Sequence, residues 1–178
     1  MKYFDSNSPS KAFTIIELIM IIVIVGILAV VTIPRFEVFY DIKLQGAAKK
    51  LLSDIRYIQN VALSRHTNTR IIFDETNEIY QASQCESSCT VSSNWTAISD
   101  PFTRSDLIMD FRTDPQYGGV DISGVDFEGT ATLRFNWEGT PQDANGSDLT
   151  SPGSVTLTLR GRTKAIRVTP QTGKVTVE

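Results

Sequence analysis

Hydrophobic positions are distributed along this chain in three different ways. From Phe13 to Ile33 they are nearly continuous, FTIIELIMIIVIVGILAVVTI, with Glu17 the one charge in the run. From Leu44 to Ala62 they recur at three- and four-residue steps. Leu44, Ala48, Leu51, Leu52, Ile55, Ile58 and Ala62 form the apolar set, with Lys49, Lys50, Asp54, Arg56 and Asn60 between them, which predicts a helix with one apolar face running to about Arg65. Beyond residue 68 the pattern breaks into short β-prone runs. Strands are predicted at 70–74, 78–82, 107–111, 120–122, 131–137, 154–160, 165–169 and 174–177. Turn residues separate them, among them Glu75-Thr76-Asn77, Gly118-Gly119, Gly139-Thr140-Pro141, Asn145-Gly146 and Thr172-Gly173. A long helix followed by strands predicts an α+β fold, with a largely antiparallel sheet packed on the helix.

The continuous run has the length of a membrane segment. Its 21 residues would extend roughly 32 Å as a helix, against a hydrocarbon core of about 30 Å. A secretory signal has a shorter apolar region, about 7–15 residues ending at small residues; here the run continues through Pro34 and Arg35 into more helical sequence. Lys2 and Lys11 precede it, which favours a cytoplasmic N-terminus and export of the C-terminal bulk. Pro34 lacks a backbone donor and is expected to kink the helix, and Gly46 to loosen it. From Phe13 to Arg65 the two halves would measure about 80 Å if straight. Glu17 is the anomaly: a carboxylate in an apolar helix costs about 2.5–3.5 kcal/mol on insertion scales, so it needs a cationic partner or water at the interface.

Lys11-Ala12-Phe13-Thr14-Ile15-Ile16-Glu17-Leu18, with the apolar run and Pro34 behind it, resembles the prepilin signal of type IV pilins and type II secretion pseudopilins. The resemblance implies a cut by a prepilin peptidase between Ala12 and Phe13 and methylation of the new terminus at Phe13. It also implies that Glu17 pairs with the N-terminal amine of a neighbouring subunit during assembly. Ala12 departs from the pattern, which has Gly before the cut, and this implies either slower processing or a tolerant peptidase. The implied organisation is a leader at 1–12, a membrane-spanning half-helix at 13–34, an amphipathic half at 35–66 and an exported β-rich domain at 67–178.

Two further stretches are similar to the pseudopilin H and FimT-like minor pilin branch. They are Leu52-Ser53-Asp54-Ile55-Arg56-Tyr57-Ile58-Gln59-Asn60-Val61-Ala62 and Phe135-Asn136-Trp137-Glu138-Gly139-Thr140-Pro141, with Thr172-Gly173-Lys174-Val175 at the end. Pro34-Arg35-Phe36 is similar to pilins of the mannose-sensitive haemagglutinin system. The resemblance implies a minor pilin that initiates or caps a type IV pilus, stored in the inner membrane with its domain in the periplasm. The alternatives are an H-type minor pseudopilin of type II secretion and a DNA-binding minor pilin of DNA uptake. Other pilin or pseudopilin subunits, the peptidase, the inner-membrane assembly platform and membrane lipid are the implied partners.

Composition narrows the chemistry. The 178 residues carry 17 Lys plus Arg against 20 Asp plus Glu, a net charge of −3, which excludes a strongly basic nucleic-acid coat. One His and two Cys leave no zinc quartet, and no Ser-His-Asp set or phosphate loop is present, so neither an enzyme nor a cofactor is expected. Asp110, Asp114, Asp121 and Asp126 lack the spacing of a calcium loop. Cys85 and Cys89 have three intervening residues where a thioredoxin-type site has two; in an oxidising periplasm they are expected to form a small disulfide loop. His66 is expected to cap the last helical carbonyls. Arg160, Arg162 and Lys164 alternate with Gly161 and Thr163, and Arg167 follows; in an extended strand three of these cations would share a face, a row that would grip phosphates. Gly161-Arg162-Thr163-Lys164 is similar to the Gly-Arg-x-Arg loop of DNA-binding minor pilins, with Lys in the last place. The other reading of this row is a solvated edge strand or hairpin tip, where cations discourage edge-to-edge pairing.

Overall fold

The computed structural model describes residues 13–32, 35–85, 88–90 and 92–178. Ala12, Pro34 and the expected kink lie outside the described residues, as does the leader. The chain divides after Phe39 into two units.

In the first unit, helix α1 runs Ile15–Thr32. Thr14 sits just ahead of it and accepts the amide hydrogen bonds of Glu17 and Leu18 on its carbonyl, at 3.1 and 3.2 Å. Its Oγ1 also lies 3.3 Å from the Glu17 amide. Thr14-Ile15-Ile16-Glu17 therefore has the T-x-x-E order of a capping box, and the Glu17 carboxylate lies in the first turn, where the helix dipole favours negative charge. At about 1.5 Å per residue the helix is about 27 Å long. Among the described residues no helix is long and apolar enough to cross a membrane.

Helix α2, Arg35–Arg65, crosses the division and supplies the second unit with its one long helix. Leu44, Ala47, Ala48, Leu51, Ile55, Ile58, Val61 and Ala62 are buried, the apolar stripe that the three- and four-residue spacing predicts. Leu52 is only partly buried. The helix runs unbroken through Gly46, where the ring of Tyr117 lies 3.1 Å from the position a Cβ would take, so the glycine admits a neighbour. The helix ends with His66 in the left-handed region, φ 48°, and the Thr67 amide bonded to the Ala62 carbonyl. This is a Schellman-type stop made by backbone. His66 thus caps through its own conformation, and its ring faces Trp137 at 6.2 Å.

The expected single sheet is two, and every strand pair is antiparallel. The larger contains β1 (Asn68–Asp74), β2 (Ile79–Cys85), β3 (Trp95–Ala97), β4 (Ile108–Asp110), β6 (Thr132–Phe135) and β7 (Pro141–Gln142), in the order β3-β2-β1-β6-β7 with β4 also on β2. The smaller is β10-β9-β8-β5, from β5 (Asp121–Asp126), β8 (Gly153–Leu159), β9 (Arg162–Val168) and β10 (Val175–Val177). The β1–β2 turn is held by Asp74, whose Oδ1 accepts the amides of Thr76 and Asn77 at 3.0 and 2.9 Å.

One core joins both sheets to α2. Thr69 on β1 donates to the Ile58 carbonyl at 3.1 Å, and Arg56 donates to the Val175 carbonyl on β10 at 2.9 Å. Phe73, Tyr80, Phe111 and Phe127 form an aromatic cluster with ring centroids 5.8–6.0 Å apart. The architecture is α+β: a helix with two antiparallel sheets packed against its apolar face.

Candidate functional site

Because α1 is apolar on all sides, its surface is the first candidate. Ile15 is 80% exposed, Ile19 55%, Val25 58% and Val30 72%, and no described side chain from Phe13 to Val30 is buried. Exposed apolar area on this scale marks an interaction surface. Phe13 is 71% exposed and precedes the helix, while Glu17 is exposed in its first turn. These are the expected processing and charge-pairing positions.

The second unit is tied together by a buried polar cluster that the periodicity did not single out. Asp54, expected on the polar side of α2, is 6% exposed. Lys50 reaches its Oδ1 at 2.6 Å and the Tyr80 hydroxyl donates to its Oδ2 at 2.7 Å. Burial raises the Asp54 carboxyl above its ordinary value, and the hydrogen bonds from Lys50 and Tyr80 only partly offset this. Burial also pushes the Tyr80 hydroxyl well up, with the Asp54 charge adding to it. Burial acts the same way on Asp100, but amides of Thr103 and Phe102 and the Lys50 charge outweigh it and leave that carboxyl lowered.

Cys85 and Cys89 are joined, with Cα atoms 5.7 Å apart. The loop is anchored on three sides. Thr67 donates to the Cys85 carbonyl at 2.7 Å, Trp95 Nε1 to the Cys89 carbonyl at 3.1 Å, and Asn68 Nδ2 lies 3.2 Å from Cys89 Sγ. Asp110, Asp114 and Asp126 serve turns by accepting the amides of Arg112, Gln116 and Gly129 at 2.8 Å. Among the described residues no cluster of His, Cys, Asp or Glu is placed to hold a metal ion.

The expected row of cations is arranged differently. Arg160 is not in a strand: with Gly161 it forms the two-residue turn between β8 and β9, at φ 52° and 77°. Its guanidinium lies 5.6 Å from the Tyr40 ring centroid. Arg162 and Lys164 share the face of β9 that buries Ile166 and Val168, and Arg162 is paired with Asp41 of α2. A groove of about 350 Å³ between α2 and β9 is lined by Asp41, Gln45, Arg162 and Lys164. Arg167 lies on the opposite face and pairs with Glu178 at 2.8 Å. The hairpin therefore brings three of the four cations to one end and turns the fourth away.

The family model for the type II transport protein GspH matches residues 47–173, more than two thirds of the chain. This chain belongs to the GspH family. Membership makes it a minor pilin or pseudopilin of GspH type, a class of structural subunits and not of enzymes, with other such subunits as partners. Two solved structures of the minor pseudopilin EpsH from the type II secretion system of Vibrio cholerae share the fold. One superposes with a TM-score of 0.55 at 10% identity over 78% of this chain and 97% of the other; the second gives 0.54 at 8% over 76% and 96%. The type IV minor pilin FimU of Pseudomonas aeruginosa gives 0.49 at 16% identity over 76% and 87%. No curated protein matches the chain.

In this GspH-family member the Asp54 cluster, the Thr14 cap and a group formed by Arg70, Trp95 and Arg134 escaped sequence reasoning. The first two had signals in the sequence. Asp54 falls on the 47-51-54-58-61 arc of the helix, and T-x-x-E opens α1.

Proposed function

We propose that this chain is a minor pilin that initiates or caps a type IV pilus of the mannose-sensitive haemagglutinin kind. It is held in the inner membrane by the apolar run from Phe13 and carries its β-rich domain in the periplasm. The observation that carries this reading is the all-round exposure of the α1 side chains. An apolar rod with no polar face must be covered by lipid or by other apolar rods, and a fibre built on such helices supplies the second cover after the first. Glu17 in the first turn would meet the amine of a neighbouring subunit, a cation where the helix dipole already favours the carboxylate. The peptidase would free that amine by cutting between Ala12 and Phe13.

The family match and the EpsH fold favour a second reading, an H-type pseudopilin of type II secretion. Deleting the gene separates the two: loss of surface pili with normal secretion supports the first, and loss of secretion with normal piliation supports the second. In either system mass spectrometry of the native protein should find a chain beginning at methylated Phe13. Glu17→Ala should leave membrane insertion unchanged and lower incorporation into fibres at least tenfold. Normal incorporation of this variant would refute the pairing role, and a native chain beginning at Met1 would refute the processing. DNA uptake has weaker support, since Arg162 and Arg167 already face Asp41 and Glu178.

A further inference from the structure

The outer face of the larger sheet carries two arginines that, among the described residues, have no ion-pair partner. Arg70 on β1 and Arg134 on β6 are direct partners across the antiparallel ladder. Side chains at such a pair start from Cβ atoms about 4.5–5.5 Å apart, and like charges there repel. Trp95 on β3 receives both: the Arg70 guanidinium carbon is 4.0 Å from an indole ring centroid and that of Arg134 is 5.1 Å. Burial and then the neighbouring Arg134 charge lower Arg70 from its ordinary value, and burial lowers Arg134 although Asp143 pulls it back.

Among the described residues no carboxylate forms an ion pair with either arginine. Asp143 is committed to its own turn, accepting the amides of Asn145 and Ser147 at 2.9 and 2.8 Å. Arg70 Nε donates to Ser83 at 2.9 Å and Arg134 Nη1 to the Ala144 carbonyl at 3.1 Å. Arg134 Nε is buried with no acceptor at all. Such an orphaned donor keeps the full cost of leaving water unless something accepts from it. Beside these groups lies a cavity of about 270 Å³, lined by Arg70, Trp95, Arg134, Asn145 and the disulfide's Cys89.

We propose that Arg70, Trp95 and Arg134 form a binding site for a single oxyanion, a phosphate or carboxylate group. Guanidinium forks match the paired oxygens of both groups, and an aromatic face holds the guanidinium planes in place. The cavity lies just under the lower bound of about 300 Å³ for small-molecule pockets, so it takes one anionic group and little else. Arg70 and Arg134 lie on the sheet face opposite the buried side chains of β1 and β6.

The test uses the full chain in nonionic detergent with Trp137→Phe, which leaves Trp95 as the one indole of the two in the sequence. Sodium phosphate and sodium acetate are titrated separately at constant ionic strength set with sodium chloride. A saturable change in Trp95 emission with one of them is expected, and the salt that saturates at lower concentration names the group. Arg134→Gln should weaken that binding at least tenfold. Arg70→Lys, which keeps the charge and loses the fork, should weaken it severalfold. Titrations without saturation in both salts, or unchanged in Arg134→Gln, would overturn the site.

Discussion

Asp54 shows what one buried carboxylate does to a domain of this size. Burial is the larger influence on it and raises its folded pKa above the ordinary 3.8. The folded state therefore holds the proton more tightly than the unfolded state does, and ionising Asp54 costs stability. That cost is absent below the unfolded value, grows as pH rises from 3.8 to the folded pKa, and is constant above it. Asp54→Asn removes the titration. The unfolding free energy of the wild type minus that of Asp54→Asn should fall as pH rises through this window and then level off, measured by urea unfolding from pH 3.5 to 7. A difference that is flat or rises with pH would contradict the assignment. Asp54→Ala should be worse at every pH, by about 2 kcal/mol, because it leaves the Tyr80 hydroxyl without its acceptor.

At the scale of elements, hydrogen-bonded partners decided what the pattern of residues left open. The run behind β8 alternates cleanly, with Val155, Leu157 and Leu159 inward, and that behind β1 is a β-prone Ile71-Ile72-Phe73 core of which Ile71 and Phe73 turn inward; both strands were legible. The strand at 120–122 was cut short because β5 shifts register between Ile122 and Gly124, which breaks the alternation that a longer reading needs. β3 and β7 have three and two residues and exist by pairing with β2 and β6, so nothing local announces them. Pro141 reads as a turn residue and serves as an edge strand, where its missing donor does no harm. The β8–β9 hairpin differs from its reading mainly on the second strand, which begins at Arg162 instead of 165, so that the turn shrinks to Arg160-Gly161. Both turn residues have positive φ, the type I′ geometry that favours Asn-Gly. Gly161→Ala should therefore cost about 1–2 kcal/mol in urea unfolding. Arg160→Asn should be neutral or slightly stabilising while it removes one cation, so it also tests DNA affinity by gel shift without disturbing the turn.

On the scale of the whole molecule, the chain contains one part that completes its own core and one that does not. Among the described residues every buried apolar side chain lies between Leu44 and Val175, whereas those of α1 from Ile15 to Val30 are exposed. The sequence made this contrast plain, because a run without a polar stripe cannot choose a buried side and an amphipathic helix can. It could not indicate the oxyanion site, whose parts are 64 residues apart and meet only through the β1–β6 pairing. If stability resides in the second unit, a chain comprising residues 40–178 should fold without the rest. It is expected to elute as a soluble monomer and to unfold cooperatively in urea at the midpoint of the full chain in detergent. The full chain without detergent should associate, since association is the remaining way to cover α1. A truncated chain that unfolds without a transition, or at a clearly lower urea concentration, would mean that residues 13–39 supply part of the core. A full chain that stays monomeric in plain buffer would mean that α1 needs no partner, and the reading of this subunit as a component of a helical fibre would lose its physical basis.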